Sequence, residues 1–345
     1  MFKHLKDDGI GPAISTEEFW DVIMEAQQEG AKQEREQEPG LPRRPEDWAP
    51  PSPEEAAMSL RMGSWRLKGR MHPQLEALVA QVEAAWRGSF HGDFKLFLTP
   101  LRLKFRDSVD PDQENPASYG DIIDPAIDGP GFPRFMLESR AYRTRVFRKC
   151  LLHLTHRQDD SQTLLCAMYP RVNFDLPVLM LQVTADASGI TSAFIDACPV
   201  NAMRQLPPYY AAPVRDTQER FRVPQIDKGP LPAWAQAVCS PLAVCLEPST
   251  AAQKADTIKY AVALVRYHTE VGRILDPITA NAAAARRQNA VQKAHEALRA
   301  ACLAGNTEVR QPVARAFGPG WADELAKEVL FDCHTANGDV NLDDV

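Results

Sequence analysis

A chain of 345 residues with 44% hydrophobic and 25% charged side chains has the make-up of an ordinary globular protein, with room for one large domain and an appendage. Its formal net charge of -7 argues against a general nucleic-acid binder, which needs a basic surface to neutralise phosphate, but leaves room for a local basic patch that holds a small anion. Apolar runs such as Pro177–Leu181 fall far short of a membrane span.

Seven cysteines, at 150, 166, 198, 239, 245, 302 and 333, form an odd set with no Cys-x-x-Cys pair. That pattern predicts reduced thiols in a reducing compartment, with no iron–sulfur cluster, no structural zinc and no other metal site. Electron chemistry would then need an external donor. Residues 1–8 lack the apolar core of a secretory signal and are too acidic for a usual transit peptide. A plastid protein shorn of its leader would look the same, so the expected location is plastid stroma or cytoplasm.

Residues 1–71 read as an extension. Ser15-Thr16-Glu17-Glu18 fits a capping box, and Phe19, Trp20, Ile23 and Met24 form the apolar stripe of a helix ending near Gly30. Six prolines between Pro39 and Pro53 predict an extended arm. The helix either packs on its own domain or, through residues 15–30, docks a protein partner.

The main domain is expected over 72–335, with a flexible tail at 336–345. His72-Pro73 opens a helical pattern with Leu75, Leu78, Val79, Val82 and Trp86 on one side. From Phe94 the period becomes two, predicting strands over Lys95–Leu98 and Leu101–Arg106. Residues 107–133 read as a long loop. Further strands are expected at about 134–141, 147–156, 162–169, 177–184 and 189–196. After Pro199 comes a loop-rich stretch. A helix capped by Ser249 or Thr250 then runs to about Leu275, followed by helices near 277–303, 310–317 and 320–331. Strands first and helices last predict an α+β fold: a central antiparallel β-sheet sandwiched between α-helices.

Several motifs share one order: Glu138–Thr144, Phe147-Arg148-Lys149, Leu164–Pro170, Asp175-Leu176-Pro177 and Phe194–Pro199. Arg204–Pro207, Leu231–Trp234, Arg287-Gln288, Ala316-Phe317-Gly318, Trp321-Ala322 and Val329–Asp332 continue it. Together they resemble the ferredoxin-dependent bilin reductases over about 72–333. The resemblance implies a biliverdin-type linear tetrapyrrole held between the sheet and the C-terminal helices, as ligand rather than permanent cofactor. It also implies electrons delivered singly by ferredoxin and protons supplied by buried acids.

The same alignment of motifs shows those acids replaced. The family's glutamate in its first long strand matches His153, and its central aspartate matches Gln182. The histidine found in phycocyanobilin-forming members matches Leu165. The aspartate of the loop between the C-terminal helices matches Thr307, beside a fitting Asn306, and the basic residue that usually follows is Glu308. The catalytic positions are thus His153 and Gln182; the substrate-contact positions are Leu165, Thr191, Lys228, Asn306, Thr307 and Arg310. Lys228 and Arg310 are the expected replacement cations for the ligand's propionates.

His153 reads either as a hydrogen-bonded core histidine or as a proton donor that titrates in a useful range. Gln182 can donate a hydrogen bond to a lactam oxygen but cannot release a proton. Cys166 and Cys198 read as small buried hydrophobes. Three functions are consistent with these substitutions. One is a reductase with His153 as its titratable group, and another is a bilin binder without turnover. The third is an interaction or assembly subunit that keeps the fold and reaches a partner through residues 15–30.

Overall fold

The structure, a computed structural model, describes residues 65–108 and 134–332 apart from Lys68, His91, Leu98, Ala202 and residues 279–281. The expected docking helix, the proline arm, most of the 107–133 loop and the tail lie outside the described residues.

The period-two runs pair as the alternation demands. Strands β1 (Lys95–Leu96), β2 (Phe105–Asp107), β3 (Phe135–Arg143), β4 (Phe147–Arg157), β5 (Gln162–Pro170), β6 (Val178–Asp186), β7 (Gly189–Cys198) and β8 (Val244–Leu246) form one antiparallel sheet. Its order is β1-β3-β4-β5-β6-β7-β8, with β2 also on β3. From β3 to β7 each strand neighbours the next, so short turns suffice and register follows the alternation. The expected strand from Leu101 fails at its start. Leu103 N–H bonds to Pro100 O at 2.9 Å, and Leu101–Leu103 winds into a 3-10 turn before β2 begins.

Helix α1 (Pro73–Ser89) buries the predicted stripe Leu75, Leu78, Val79, Val82 and Trp86. Helix α2 (Pro208–Arg220) falls where the sequence reads as loop, because Pro207, Pro208 and Pro213 argue against a helix. Pro208 occupies the first turn, where a missing N–H costs nothing. Pro213 frees the carbonyl of Tyr209, and the Tyr267 hydroxyl donates to that oxygen at 2.9 Å. Helix α3 is the single turn Ala233–Gln236.

Helix α4 (Ala251–Ile274) begins with a full capping box, Thr250 accepting from Gln253 N–H while the Gln253 side chain returns to Thr250. Helix α5 (Ala282–Gly305), α6 (Thr307–Phe317) and α7 (Pro319–Leu325) follow, and a π-helical turn Ala326–Leu330 completes the described helices.

The two faces of the sheet carry different partners. Helices α1 and α4 cover the face that bears Leu152, Cys166 and Leu181, whereas α5, α6 and α7 cover the face bearing Leu151, Leu165 and Phe194. Gly272 of α4 lies directly on Phe147: a Cβ there would meet the ring at 3.0 Å. Gly272→Ala should therefore destabilise by about 1–3 kcal/mol through overpacking, read as a lower urea midpoint at unchanged m-value.

Candidate functional site

The pairing register sets one row of side chains across the sheet: Ser139, His153, Leu165, Gln182 and Phe194 stand opposite one another on successive strands. Directly opposed residues point to the same side, here the side covered by the C-terminal helices. Three of the positions picked out from the sequence thus lie in line.

His153 and Leu165 are fully buried, whereas Gln182 meets a charged side chain from α6. His153 is fully buried, and burial pushes its imidazole down to about 3, so it stays uncharged at neutral pH. Its Nδ1 lies 2.8 Å from Ser139 Oγ in a shared hydrogen bond. Its Nε2 has no hydrogen-bond partner among the described residues. Gln182 is held at both ends of its amide: Nε2 donates to Glu308 Oε2 at 2.7 Å, and Oε1 accepts from Asn306 Nδ2 at 3.0 Å. Asn306 occupies the N-cap position of α6 but makes no side-chain cap bond. Its amide is spent on Gln182 instead, and the residue is 2% exposed. Thr307 is the first residue of α6.

Next to this row, towards the hairpin ends, the same face turns hydroxyl-rich, with Thr155, Thr163, Thr184 and Ser192 in register. A cavity of about 30 Å³ lies there, lined in part by Thr155, Thr163, Glu308 and Pro312. On the other side of the row, Asp196 of β7 stands opposite Met180. It is buried, and burial pushes its carboxyl up.

Remaining positions fall elsewhere. Thr191 is exposed near the β6–β7 hairpin and shares a hydrogen bond with Thr184 at 3.1 Å. Lys228 is exposed, its backbone bridging to Leu246. Arg310 is engaged by the Asp323 carboxylate and the Leu303 carbonyl, so it braces α6 against its neighbours. The cations gather instead around a cleft of about 550 Å³ between α5 and the chain after β7, where Arg204, Arg286 and Lys293 meet Pro199, Val238 and Ala294. All three cations are exposed at its mouth. Only Arg204 had a sequence signal, as part of Arg204–Pro207. Val238 and Ala294 pack against the apolar cluster that contains Leu165 and Phe194, so cleft and row share one wall.

The framework motifs converge at one end of the sheet. Lys149 is fully buried; its Nζ donates to Val329 O at 2.8 Å and lies 3.1 Å from the Asp332 carboxylate. Arg148 pairs with the same carboxylate at 2.8 Å, and the Tyr169 hydroxyl donates to Leu330 O at 2.8 Å. Arg287 meets Asp175 at 2.6 Å. These contacts fasten the C-terminal segment over the sheet face that bears Leu165 and Phe194.

The family profile described as ferredoxin-dependent bilin reductase matches residues 127–332. The chain belongs to that family. Among curated bilin reductases, it is 29% identical over 286 residues to phycocyanobilin:ferredoxin oxidoreductase of Gloeobacter violaceus, covering 79% of this chain and 95% of the relative. It is 25% identical over 280 residues to the enzyme of that name from a Synechococcus strain, covering 79% of this chain and 97% of the relative. Among solved structures, phytochromobilin synthase from tomato in complex with biliverdin superposes with a TM-score of 0.52 and 14% identity, over 72% of this chain and 81% of that one. The likeness to the tomato structure establishes the bilin reductase fold.

Proposed function

We propose that this bilin reductase binds a biliverdin-type linear tetrapyrrole between the sheet and helices α5 and α6, and that ferredoxin-fed reduction is slow or lost in it. One observation carries the reading: a neutral His153 and the amide of Gln182 stand at the centre of the sheet, with a cation-lined cleft sharing their wall.

The ligand's two propionates are anions on an otherwise apolar conjugated frame. Arg204, Arg286 and Lys293 offer them charge-assisted hydrogen bonds at a solvent-facing mouth. The frame itself calls for a site of several hundred Å³. The cleft has about 550 Å³, but only about 30 Å³ is open beside the row. Entry therefore requires Glu308 and Asn306 to leave Gln182, which then offers its amide to the ligand's lactam end.

Reduction makes a second demand. An electron added to a neutral π-system in a low-dielectric site is costly unless a proton follows. Gln182 has none to give. His153 starts neutral, and its free Nε2 can hydrogen-bond a pyrrole but enters the reaction as an acid only after taking a proton from elsewhere. Binding is thus expected to survive where protonation does not.

Biliverdin added to the purified chain should bind near one-to-one and shift its long-wavelength absorption band. Arg204→Glu should weaken binding by about 1–3 kcal/mol, roughly ten-fold or more, while Lys228→Glu outside the cleft should leave it unchanged. Repeating the titration with reduced ferredoxin reads turnover directly. An unaltered spectrum at micromolar biliverdin would sink the proposal, and the interaction-subunit reading through residues 15–30 would replace it.

A further inference from the structure

Near the cleft, two metal-binding groups of one strand meet a third from a distant turn. Cys198 ends β7 and Cys239 lies in the turn after α3, yet their Sγ atoms are 3.9 Å apart across a separation of 41 residues. The Asp196 carboxylate, on the same face as Cys198, lies within 4.8 Å of both sulfurs. Two sulfurs and a carboxylate oxygen therefore ring one point.

The carboxylate is also oriented from behind. Ser240 N–H donates to one oxygen at 2.9 Å and the Ser240 hydroxyl to the other at 2.5 Å. A carboxylate has about four lone-pair sites, so these bonds leave lone pairs free for the sulfur side. Such outer partners are what fix a metal ligand in place.

We infer that Asp196, Cys198 and Cys239 form a binding site for one Zn²⁺-like cation in the wall of the cleft. The spacing suits the ion: two thiolates on one tetrahedral Zn²⁺, each at about 2.3 Å, lie roughly 3.8 Å from each other. The donor set of two soft sulfurs and one carboxylate favours zinc over magnesium or calcium, which take oxygen alone. A fourth position is left for water. Access is short, because Pro199 and Val238, the neighbours of the two cysteines, line the cleft.

A disulfide switch fits the same atoms less well. The hydrogen bond shared with Cys239, burial and the Asp196 charge all push the Cys198 thiol up, away from the thiolate that disulfide chemistry needs. A cation reverses that balance by replacing the protons. One divalent ion enters, two thiol protons leave, and the carboxylate keeps its charge, with no oxidant or reductant involved. The cysteine spacing gave no hint of this, since motif spacings reveal only ligands close in sequence.

The test uses the full, freshly reduced chain and Co²⁺ alone as a spectroscopic substitute for Zn²⁺. One equivalent should produce a thiolate-to-metal charge-transfer band with tetrahedral d–d absorption and release two protons, and Zn²⁺ should then erase the bands. Cys239→Ser changes a half-buried turn position and should remove most of the charge-transfer intensity. Asp196→Asn should weaken binding at least about ten-fold. Cys245→Ser, on β8, should leave the spectrum unchanged. No charge-transfer band at micromolar Co²⁺, or a band that survives Cys239→Ser, overturns the site. A loss in Cys245→Ser as complete as in Cys239→Ser would place the ion elsewhere and overturn it too. None of these readouts depends on biliverdin, so the site and the proposed function stand or fall separately.

Discussion

Asp332→Ala should lower the stability of the domain by about 3–5 kcal/mol, the largest effect expected of any single substitution away from the apolar core. Lys149 is fully buried and Arg148 is 8% exposed, and Asp332 is the carboxylate that both of them meet. Removing it takes away the carboxylate that lies 3.1 Å from the fully buried Lys149 Nζ. Loss of that charge partner from a buried ammonium is costly, and the C-terminal segment that Asp332 anchors would loosen with it. Asp332→Asn should cost less, since an amide keeps a hydrogen-bond acceptor.

The pH dependence has a definite sign. Burial pushes the Asp332 carboxyl up, but Lys149 and Arg148 together outweigh it and hold the group below its ordinary value. A depressed carboxyl stabilises the fold at every pH above its unfolded value of about 3.9. That contribution is lost as pH falls from there through the lower folded value. Acid unfolding of the native chain should therefore show a component in that window that Asp332→Asn lacks. Equal urea midpoints for the native chain and Asp332→Ala at neutral pH would show that the clamp is not stabilising.

Gln182→Asp is expected to raise ferredoxin-driven reduction of biliverdin by about 10²-fold or more, the usual scale of a positioned general acid. The new carboxylate stands one methylene short of the Gln182 amide, which lies 2.7 Å from Glu308, and so faces a second carboxyl across a short gap. Two neighbouring carboxylates disfavour each other's ionisation, so the pair is expected to keep a proton to a higher pH than either would alone. On the proposed reading, that shared proton is the one missing in the native chain. The gain should fall away on the alkaline side as the pair loses it, and Gln182→Asp combined with Glu308→Gln should move the alkaline limb to lower pH. Rapid turnover by the native chain, unchanged in His153→Gln, would show that protons reach the ligand by another path.

Much of the architecture is written locally. The period-two runs from Phe135 to Cys198 each meet their neighbour through a short turn, so alternation alone decides which residues share a face. His153, Leu165 and Gln182 fall into one row for that reason. The α1 stripe and the Thr250 cap follow equally local rules. Where a local signal conflicted with a tertiary one, the sequence misled. Proline argues against α2, yet the Tyr267 hydroxyl satisfies the carbonyl that Pro213 leaves free. Alternation predicts a strand from Leu101, yet Pro100 directs a 3-10 turn.

The site divides along the same line. The sequence by itself determined the sheet, the family's framework and which residue types stand in the central row, because each depends on residue type at a position counted along one strand or one motif. Only the tertiary structure decided what those positions touch. It joined Gln182 to Glu308 and Asn306 across 126 and 124 residues, and set Arg310 against Asp323. It collected Arg204, Arg286 and Lys293 around one cleft, and brought Asp196, Cys198 and Cys239 to a common point. Such meetings depend on how α5 and α6 lie over the sheet. That packing is fixed by contacts summed over many distant side chains, and no single stretch of sequence records it.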